Sequence, residues 1–192
     1  MDTVVAAFDF DGTLTRGDTL LPFLRILVGR RRVATVLAAN GRALARAGRD
    51  RGERDVVKER VLASCLAGMH VDVVSAAALA HVDHIRMRDD VVAKLRTHQA
   101  AGHHVLVVSA SPTIYVAPAM QRFGVDDVLA TDLEIGNDGV LTGRLAGPNC
   151  RGEEKVVRLD AWLAGRDVEL HAYGNSPDDA PMLARAHHAV WV

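Results

Sequence analysis

The segment TVVAAFDFDGT, residues 3–13, decides the fold class of this chain. Its first six residues are apolar or β-branched without interruption, which predicts a strand buried on both faces. Asp9, Asp11 and Gly12 follow directly. In open α/β sheets, ligands bind beyond the carboxyl ends of the strands. The segment therefore predicts the first strand of an α/β sheet, with a functional site at its end.

The chain from residue 89 onward alternates between helix and strand patterns. An amphipathic helix pattern at 89–101 precedes the apolar strand pattern HVLVV at 104–108. The later segments are a helix at 112–123, a strand at 128–135, a strand at 140–145 after the turn Asn137-Asp138-Gly139, a helix at 153–164, a strand at 168–173, a helix at 178–186 and a strand at 188–192. Such alternation is typical of a doubly wound, Rossmann-like parallel sheet.

Residues from about 19 to 87 contain no strong strand pattern. Apolar residues recur there at three- and four-residue spacing, which predicts helices, and glycines near 29, 41, 48–52 and 68 predict the breaks between them. We therefore expect two units. Residues 1–15 and 88–192 would form the core domain, and residues 16–87 would form a small helical domain inserted after the first strand.

The composition excludes several classes of protein. With 192 residues, 49% hydrophobic and 24% charged, the chain is an ordinary globular domain. A net charge of −1 and only 4% aromatic residues argue against nucleic-acid binding. Cys65 and Cys150 are too few for a disulfide framework, and we expect reduced thiols in a cytoplasmic protein. The chain shows neither a signal-peptide pattern nor an apolar run long enough to span a bilayer.

Polar residues stand at several points where predicted strands end or helices begin. They are Asp9 and Asp11, Ser109, Lys155, and the loop Gly174-Asn175-Ser176-Pro177-Asp178-Asp179. In a parallel sheet these points converge at one edge. Carboxylates bind Mg²⁺, while a lysine, a hydroxyl and loop amides hold phosphate oxygens. The set therefore indicates a site for a divalent metal and a phosphate.

The order and spacing of these residues resemble the haloacid dehalogenase (HAD) superfamily. Its D-x-D-G-T motif matches residues 9–13, its strand-end Ser or Thr matches Ser109 and its lysine matches Lys155. Its acidic loop G-D-S-x-x-D matches residues 174–179 in part. The helical insertion resembles the C1 cap of subfamily IB, the phosphoserine-phosphatase-like enzymes. The resemblance implies an Mg²⁺-dependent phosphatase that hydrolyses phosphate monoesters.

The resemblance also implies a role for each matched residue. Asp9 would be the nucleophile that forms an aspartyl-phosphate, and Asp11 the general acid and base. Ser109 and Lys155 would hold the phosphoryl group. The remaining residues carried over are Gly12, Thr13 and Ala110 for the substrate, and Asp9, Asp11, Asn175 and Asp179 for the metal. Asn175 departs from the family's aspartate, so weaker metal binding is expected, and Asp178 offers an alternative ligand.

The substrate is left open by the sequence. By the same resemblance, Asp18 and Arg60 would bind the amine and carboxylate of a phosphoserine-like metabolite, although Asp18 is equally well placed to cap the helix after it. A lipid phosphate such as phosphatidylglycerophosphate is an alternative substrate. A weakly catalytic phosphoester-binding protein, suggested by Asn175, is an alternative of another class.

A basic segment, residues 25–54, lies within the helical insertion. It holds nine arginines (25, 30, 31, 32, 42, 46, 49, 51 and 54) against Asp50 and Glu53, a formal charge of +7. It follows the apolar residues Leu20, Leu21, Phe23, Leu24, Ile26 and Leu27. Three interpretations stay open: a solvated helix face, attraction of an anionic substrate, or peripheral contact with an anionic membrane.

Overall fold

The computed structural model describes residues 3–47 and 51–192, which form one five-stranded parallel sheet, a β-hairpin and eight helices. The strands are β1 Thr3–Phe8, β2 His104–Pro112, β3 Asp127–Thr131, β4 Leu133–Ile135, β5 Leu141–Leu145, β6 Val168–Gly174 and β7 His188–Trp191. The helices are α1 Leu20–Ala39, α2 Gly41–Ala47, α3 Arg51–Leu66, α4 Val71–Val82, α5 Asp89–Ala100, α6 Thr113–Gln121, α7 Glu153–Leu163 and α8 Ala180–Arg185.

The strand order in the sheet is β3-β2-β1-β6-β7, which places β1 at the centre. Each neighbouring pair runs parallel. Ala6 and Phe8 pack into the core on one face of the sheet, while Val5 and Ala7 pack into the core on the other. The uninterrupted apolar pattern of β1 therefore reflects burial on both faces, and the predicted α/β fold class is confirmed.

Helices α1–α4 occupy the segment predicted to be helical. α1 is kinked at Gly29, whose φ of +82° is accessible to glycine at little cost. The two ends of this helical segment lie next to each other, because Thr15 and Met87 form an antiparallel bridge. No helix in the described parts of the chain has the length and apolar character needed to cross a bilayer.

The strand predicted at 128–135 is two strands, and the prediction of one is wrong. β3 pairs with β2, but after Asp132 the chain leaves the sheet and β4 pairs antiparallel with β5. The hairpin β4–β5 instead packs on α3, so closely that a Cβ on Gly143 would lie 2.8 Å from the Cα of Ala63. The apolar pattern is continuous because both strands are half-buried, against different partners.

Candidate active site

The carboxyl ends of β1, β2 and β6 surround a cavity of about 370 Å³, with side chains from α3 on its opposite side. Asp9 follows β1, and its amide continues the pairing with β6 by donating to the carbonyl of Tyr173. Residues 10–14 then form one tight turn that the Thr15 amide closes on the carbonyl of Phe10. The first strand therefore places Asp9 and Asp11 at the edge of the cavity, as predicted.

Gly12 allows the turn after Asp9 to pack against the loop after β6. Its φ is +79°, and a Cβ there would lie 2.1 Å from the side-chain nitrogen of Asn175. Any larger residue would be strained and would displace Asn175. Thr13, the next residue, is fully buried, and its hydroxyl has no hydrogen-bond partner in the described parts of the chain.

Lys155, at the start of α7, joins the carboxylates of Asp9 and Asp179. Its Nζ lies 2.5 Å from Asp9 Oδ1 and 2.6 Å from Asp179 Oδ1, and all three residues are buried. Burial raises the pKa of Asp9, and the charge of Lys155 opposes this effect. Burial alone would raise the pKa of Asp179 as well, but the charge of Lys155 and the hydrogen bonds from Lys155 and Ser176 together outweigh it, and the pKa is lowered. A single lysine thus faces two buried acids.

Asp11 points away from Lys155 and is held by hydroxyl and amide donors. Its Oδ1 accepts from the amide of Thr19 at 2.8 Å and from the Thr19 hydroxyl at 2.7 Å, and its Oδ2 accepts from the Ser111 hydroxyl. Burial raises the pKa of Asp11 to about 6, against the opposing effect of these hydrogen bonds. The two carboxylates of the motif therefore have different partners and different environments.

Residues 109–111, near the end of β2, line the cavity with side chains and with the backbone of Ala110. Ser109 is buried, lines the cavity and accepts a hydrogen bond from the amide of Ser111. The carbonyl of Ala110 accepts from the amine of Lys58. Ser111 was missed by the sequence analysis, although its spacing of two from Ser109 on an extended segment gave a signal, since such residues face the same side.

Lys58, on α3, is one of the cations that the helical insertion contributes to the cavity. Its amine also donates to Asn149 Oδ1 at 2.5 Å, and burial lowers the pKa of Lys58 to about 8. Arg54 and Asp55, one turn earlier on the same helix, line the cavity too. These residues were not predicted from the sequence, although the spacing of Arg54 and Lys58 places both on one helix face.

The structure corrects the prediction for Arg60. Arg60 is exposed and does not line the cavity, because two residues beyond Lys58 correspond to about 200° around a helix. Asp18 lines the cavity, and its Oδ1 also accepts from the amide of Leu21, which caps the first turn of α1. Both interpretations of Asp18 are thus compatible with its position.

The donor set at this end of the sheet fits a hard divalent cation. Asp9 and Asp179 supply buried carboxylates whose combined charge exceeds that of Lys155, and the Asp11 carbonyl and Asn175 amide supply further oxygens. Mg²⁺ takes such oxygen donors. Asp178 is already engaged, since its carboxylate lies 2.6 Å from Arg151 Nη2. Asp178 is therefore less available as a metal ligand than the sequence predicted.

The basic segment is only partly described. Arg49 and Asp50 lie outside the described residues, as does the side chain of Arg51. Arg25, Arg30, Arg31, Arg32, Arg42 and Arg46 are exposed, whereas Arg54 lines the cavity. The apolar residues Phe23 and Leu24 are fully buried, so this part of α1 packs inward.

The sequence and the fold are both similar to those of known proteins. The family model for haloacid dehalogenase-like hydrolases matches residues 6–184. The chain is 36% identical over 190 residues to protein CicA of Caulobacter vibrioides, covering 96% of this chain and 84% of that protein. It is 34% identical over 202 residues to a phosphoserine phosphatase of Halobacterium salinarum, covering 98% and 85%. A crystal structure of a Bordetella pertussis protein of unknown function superposes with a TM-score of 0.81 at 29% identity, covering 96% and 87%.

Proposed function

Because this chain belongs to the haloacid dehalogenase-like hydrolase family and is a phosphoric monoester hydrolase, we propose that it works through an aspartyl-phosphate on Asp9 with Mg²⁺ as cofactor. The observation that carries this proposal is the different environment of its two motif carboxylates. Asp9 is paired with Lys155, whereas Asp11 is held by neutral donors and has a pKa of about 6. Carboxylates in such contrasting environments can divide the roles of nucleophile and acid between them.

The proposed first step transfers the phosphoryl group to Asp9. The charge of Lys155 favours the ionised form of Asp9, and an oxygen of Asp9 attacks phosphorus while the ester oxygen leaves. Asp11, in its protonated form, gives its proton to that leaving oxygen. In the second step water attacks the aspartyl-phosphate, Asp11 takes the proton of that water, and phosphate is released. Ser109 and the amides near Gly12 and Ala110 orient the phosphoryl oxygens.

The metal would be held by Asp9, Asp179, Asn175 and the Asp11 carbonyl. When bound, Mg²⁺ supplies positive charge that lets a carboxylate approach an anionic phosphate. The neutral amide at Asn175 leaves the site one charge short of the family's acidic loop, so we expect a higher Mg²⁺ requirement.

We assign residues 16–87 to a cap that covers the cavity and selects the substrate. The cap side of the cavity presents Asp18 and Asp55 together with Arg54 and Lys58. Carboxylates suit an ammonium group and cations suit a carboxylate, so the cavity accommodates a small zwitterionic ester such as phosphoserine. The phosphoserine phosphatase relative supports the same choice.

A lipid phosphate is the second candidate substrate, and a specific observation favours it. An apolar cleft of about 400 Å³ adjoins the cavity, and both are lined by Leu20, Arg54 and Lys58. The other lining residues of the cleft are Leu21, Leu37, Leu44, Val57 and Val61. A phosphate in the cavity would place an attached acyl chain at this cleft. The exposed arginines of the basic segment would then face an anionic membrane.

The decisive experiment measures phosphate release from phosphoserine, other small monoesters and a dispersed lipid phosphate, each with Mg²⁺ and with EDTA. We expect Mg²⁺-dependent release that falls at least a thousandfold in Asp9→Asn, since a nucleophile is lost. Full turnover in Asp9→Asn would contradict the proposed nucleophile. Binding of the esters without any release would favour the weakly catalytic binding protein.

The variant Leu44→Asp separates the two substrate classes. Leu44 is 38% exposed on the cleft, so a charge there disturbs an acyl chain without entering the core. For a lipid substrate, kcat/KM should fall about tenfold while that for a small ester stays unchanged. Leu79→Asp, 55% exposed on α4 and outside the cleft, is the matched control. Equal behaviour of the two variants would exclude the cleft from substrate binding.

A further inference from the structure

We propose that Glu169, His171 and His188 form a second metal site, which takes a transition-metal ion such as Zn²⁺ and is separate from the catalytic cavity. The three residues lie on the adjacent strands β6 and β7. Glu169 and His171 are two residues apart and so share one face of the sheet, and His188 is the direct register partner of His171. Strand pairing therefore brings the three side chains together.

The three candidate ligand atoms lie close to one another. Glu169 Oε1 lies 2.7 Å from His188 Nε2 and 3.4 Å from His171 Nε2, and the three atoms lie within 4.8 Å of one another. Ligands about 2 Å from a tetrahedral zinc ion are about 3.3 Å apart. A Glu169–His188 hydrogen bond alone would account for one of these distances. It would not direct the second imidazole nitrogen at the same carboxylate oxygen.

The rest of the cluster orients the ligands. The rings of His171 and His188 stack with centroids 4.3 Å apart. The ring of His98 stands edge-on to His171 at 4.9 Å and is fixed by Tyr173, whose hydroxyl lies 2.9 Å from His98 Nε2. Metal-binding histidines in proteins are commonly held by such surrounding groups.

The chemistry of the donor set selects the class of ion. Two imidazoles and one carboxylate suit Zn²⁺ and its neighbours, whereas Mg²⁺ prefers oxygen donors alone. The Glu169 and His188 side chains are 44% and 52% exposed, which leaves room for water as a further ligand.

The location predicts what the ion does. Glu169 and His171 precede Gly174, the strand end at the cavity, by about 10–17 Å along β6. An ion held between β6 and β7 would tie the edge strand β7 to the sheet. Binding to the folded chain alone raises its stability, so Zn²⁺ should raise the melting temperature.

The test titrates Zn²⁺ into the whole chain by calorimetry with excess Mg²⁺ present, so that the catalytic carboxylates are already occupied. We expect one Zn²⁺ per chain and a rise in melting temperature. The double variant His171→Ala/His188→Ala should bind at least tenfold more weakly and lose that rise. Glu169→Gln, which keeps a hydrogen-bonding group but no charge, should also bind more weakly.

His84→Ala removes an exposed histidine outside the cluster and is the matched control. Circular dichroism of each variant without zinc verifies the fold. The proposal is overturned if the wild-type chain does not bind Zn²⁺, or if the double variant binds as tightly as His84→Ala does. Co²⁺ in place of Zn²⁺ gives an independent readout, because imidazole ligation should produce a visible absorption band that the double variant lacks.

Discussion

At the scale of the residue, Asp9 and Asp11 show how the groups around a carboxyl affect its pKa. Asp9 contacts the amine of Lys155, whereas Asp11 accepts from Thr19 and Ser111. Burial raises the pKa of both carboxyls, and the amine of Lys155, 2.5 Å from Asp9 Oδ1, opposes that rise at Asp9. With a pKa of about 6, Asp11 is protonated in a large fraction of molecules at mildly acidic pH.

The variant Ser111→Ala tests the assignment of Asp11 as general acid. Phosphoryl transfer needs protonated Asp11, so kcat/KM should fall as the pH rises through about 6. The Ser111 hydroxyl stabilises the charged carboxylate, and its loss should raise the pKa of Asp11. The falling limb of the pH profile should therefore move to higher pH, by about half a unit to one unit.

The control for this profile is Ser64→Ala, which removes an exposed serine hydroxyl that donates to the Arg60 carbonyl, outside the cavity. If the falling limb of the pH profile does not move in Ser111→Ala, Asp11 is not the group that causes it.

The raised pKa of Asp11 also affects the stability of the folded chain. Because the pKa of Asp11 is raised in the folded chain, its contribution to the free energy of unfolding is greatest at low pH and declines as the pH rises through about 6.

At the scale of the element, the orientation of helix α3 determines which of its cationic side chains line the cavity. Arg54 and Lys58 are one turn apart and both line the cavity, while Arg60 is exposed elsewhere on the helix. The apolar periodicity of the sequence predicts the helix but not which of its faces lines the cavity. The face is set by contacts of α3 with distant segments, including the amine of Lys58 on the carbonyl of Ala110, 52 residues away.

Substitutions at Lys58 and Arg60 compare the cavity-facing side of α3 with its exposed side. Lys58→Met keeps a long, unbranched side chain but removes the charge at the cavity, and KM for the preferred anionic ester should rise at least tenfold, or about 1.4 kcal/mol. Arg60→Met on the exposed face should change KM less than twofold. Steady-state kinetics on both variants checks the assignment. Equal effects would mean that α3 presents a different face to the substrate.

At the scale of the whole molecule, Lys155 links segments that are far apart in the chain. Its partner Asp9 is 146 residues away in the chain, at the end of β1, and its partner Asp179 stands directly before α8. Together they place one cation against two carboxylates in a buried site. The fold therefore depends on a charge balance that no single element contains.

The variant Lys155→Met should lower the free energy of unfolding by about 3–5 kcal/mol at pH 7, because it leaves buried carboxylates without their counter-charge. The loss should shrink at pH 5, since the uncompensated carboxyls then have raised pKa values and take up protons. Urea unfolding at the two pH values measures both effects. Lys94→Met, an exposed lysine on α5, is the control and should change stability by less than 0.5 kcal/mol. A similar loss in both variants would contradict the charge-balance argument.

The sequence by itself determined a first strand buried on both faces, the alternation of helices and strands, and the residues expected at strand ends. These features follow from local patterns, since burial on both faces gives an uninterrupted apolar run and parallel strands present their carboxyl ends together. The family resemblance added the roles of Asp9 and Lys155, which remain proposals. Only the tertiary structure decided the cavity-facing side of α3, the division of residues 128–135 between two sheets, and Ser111 as the partner of Asp11. Each of these depends on contacts between segments far apart in the chain, and local periodicity carries no information about which segments meet.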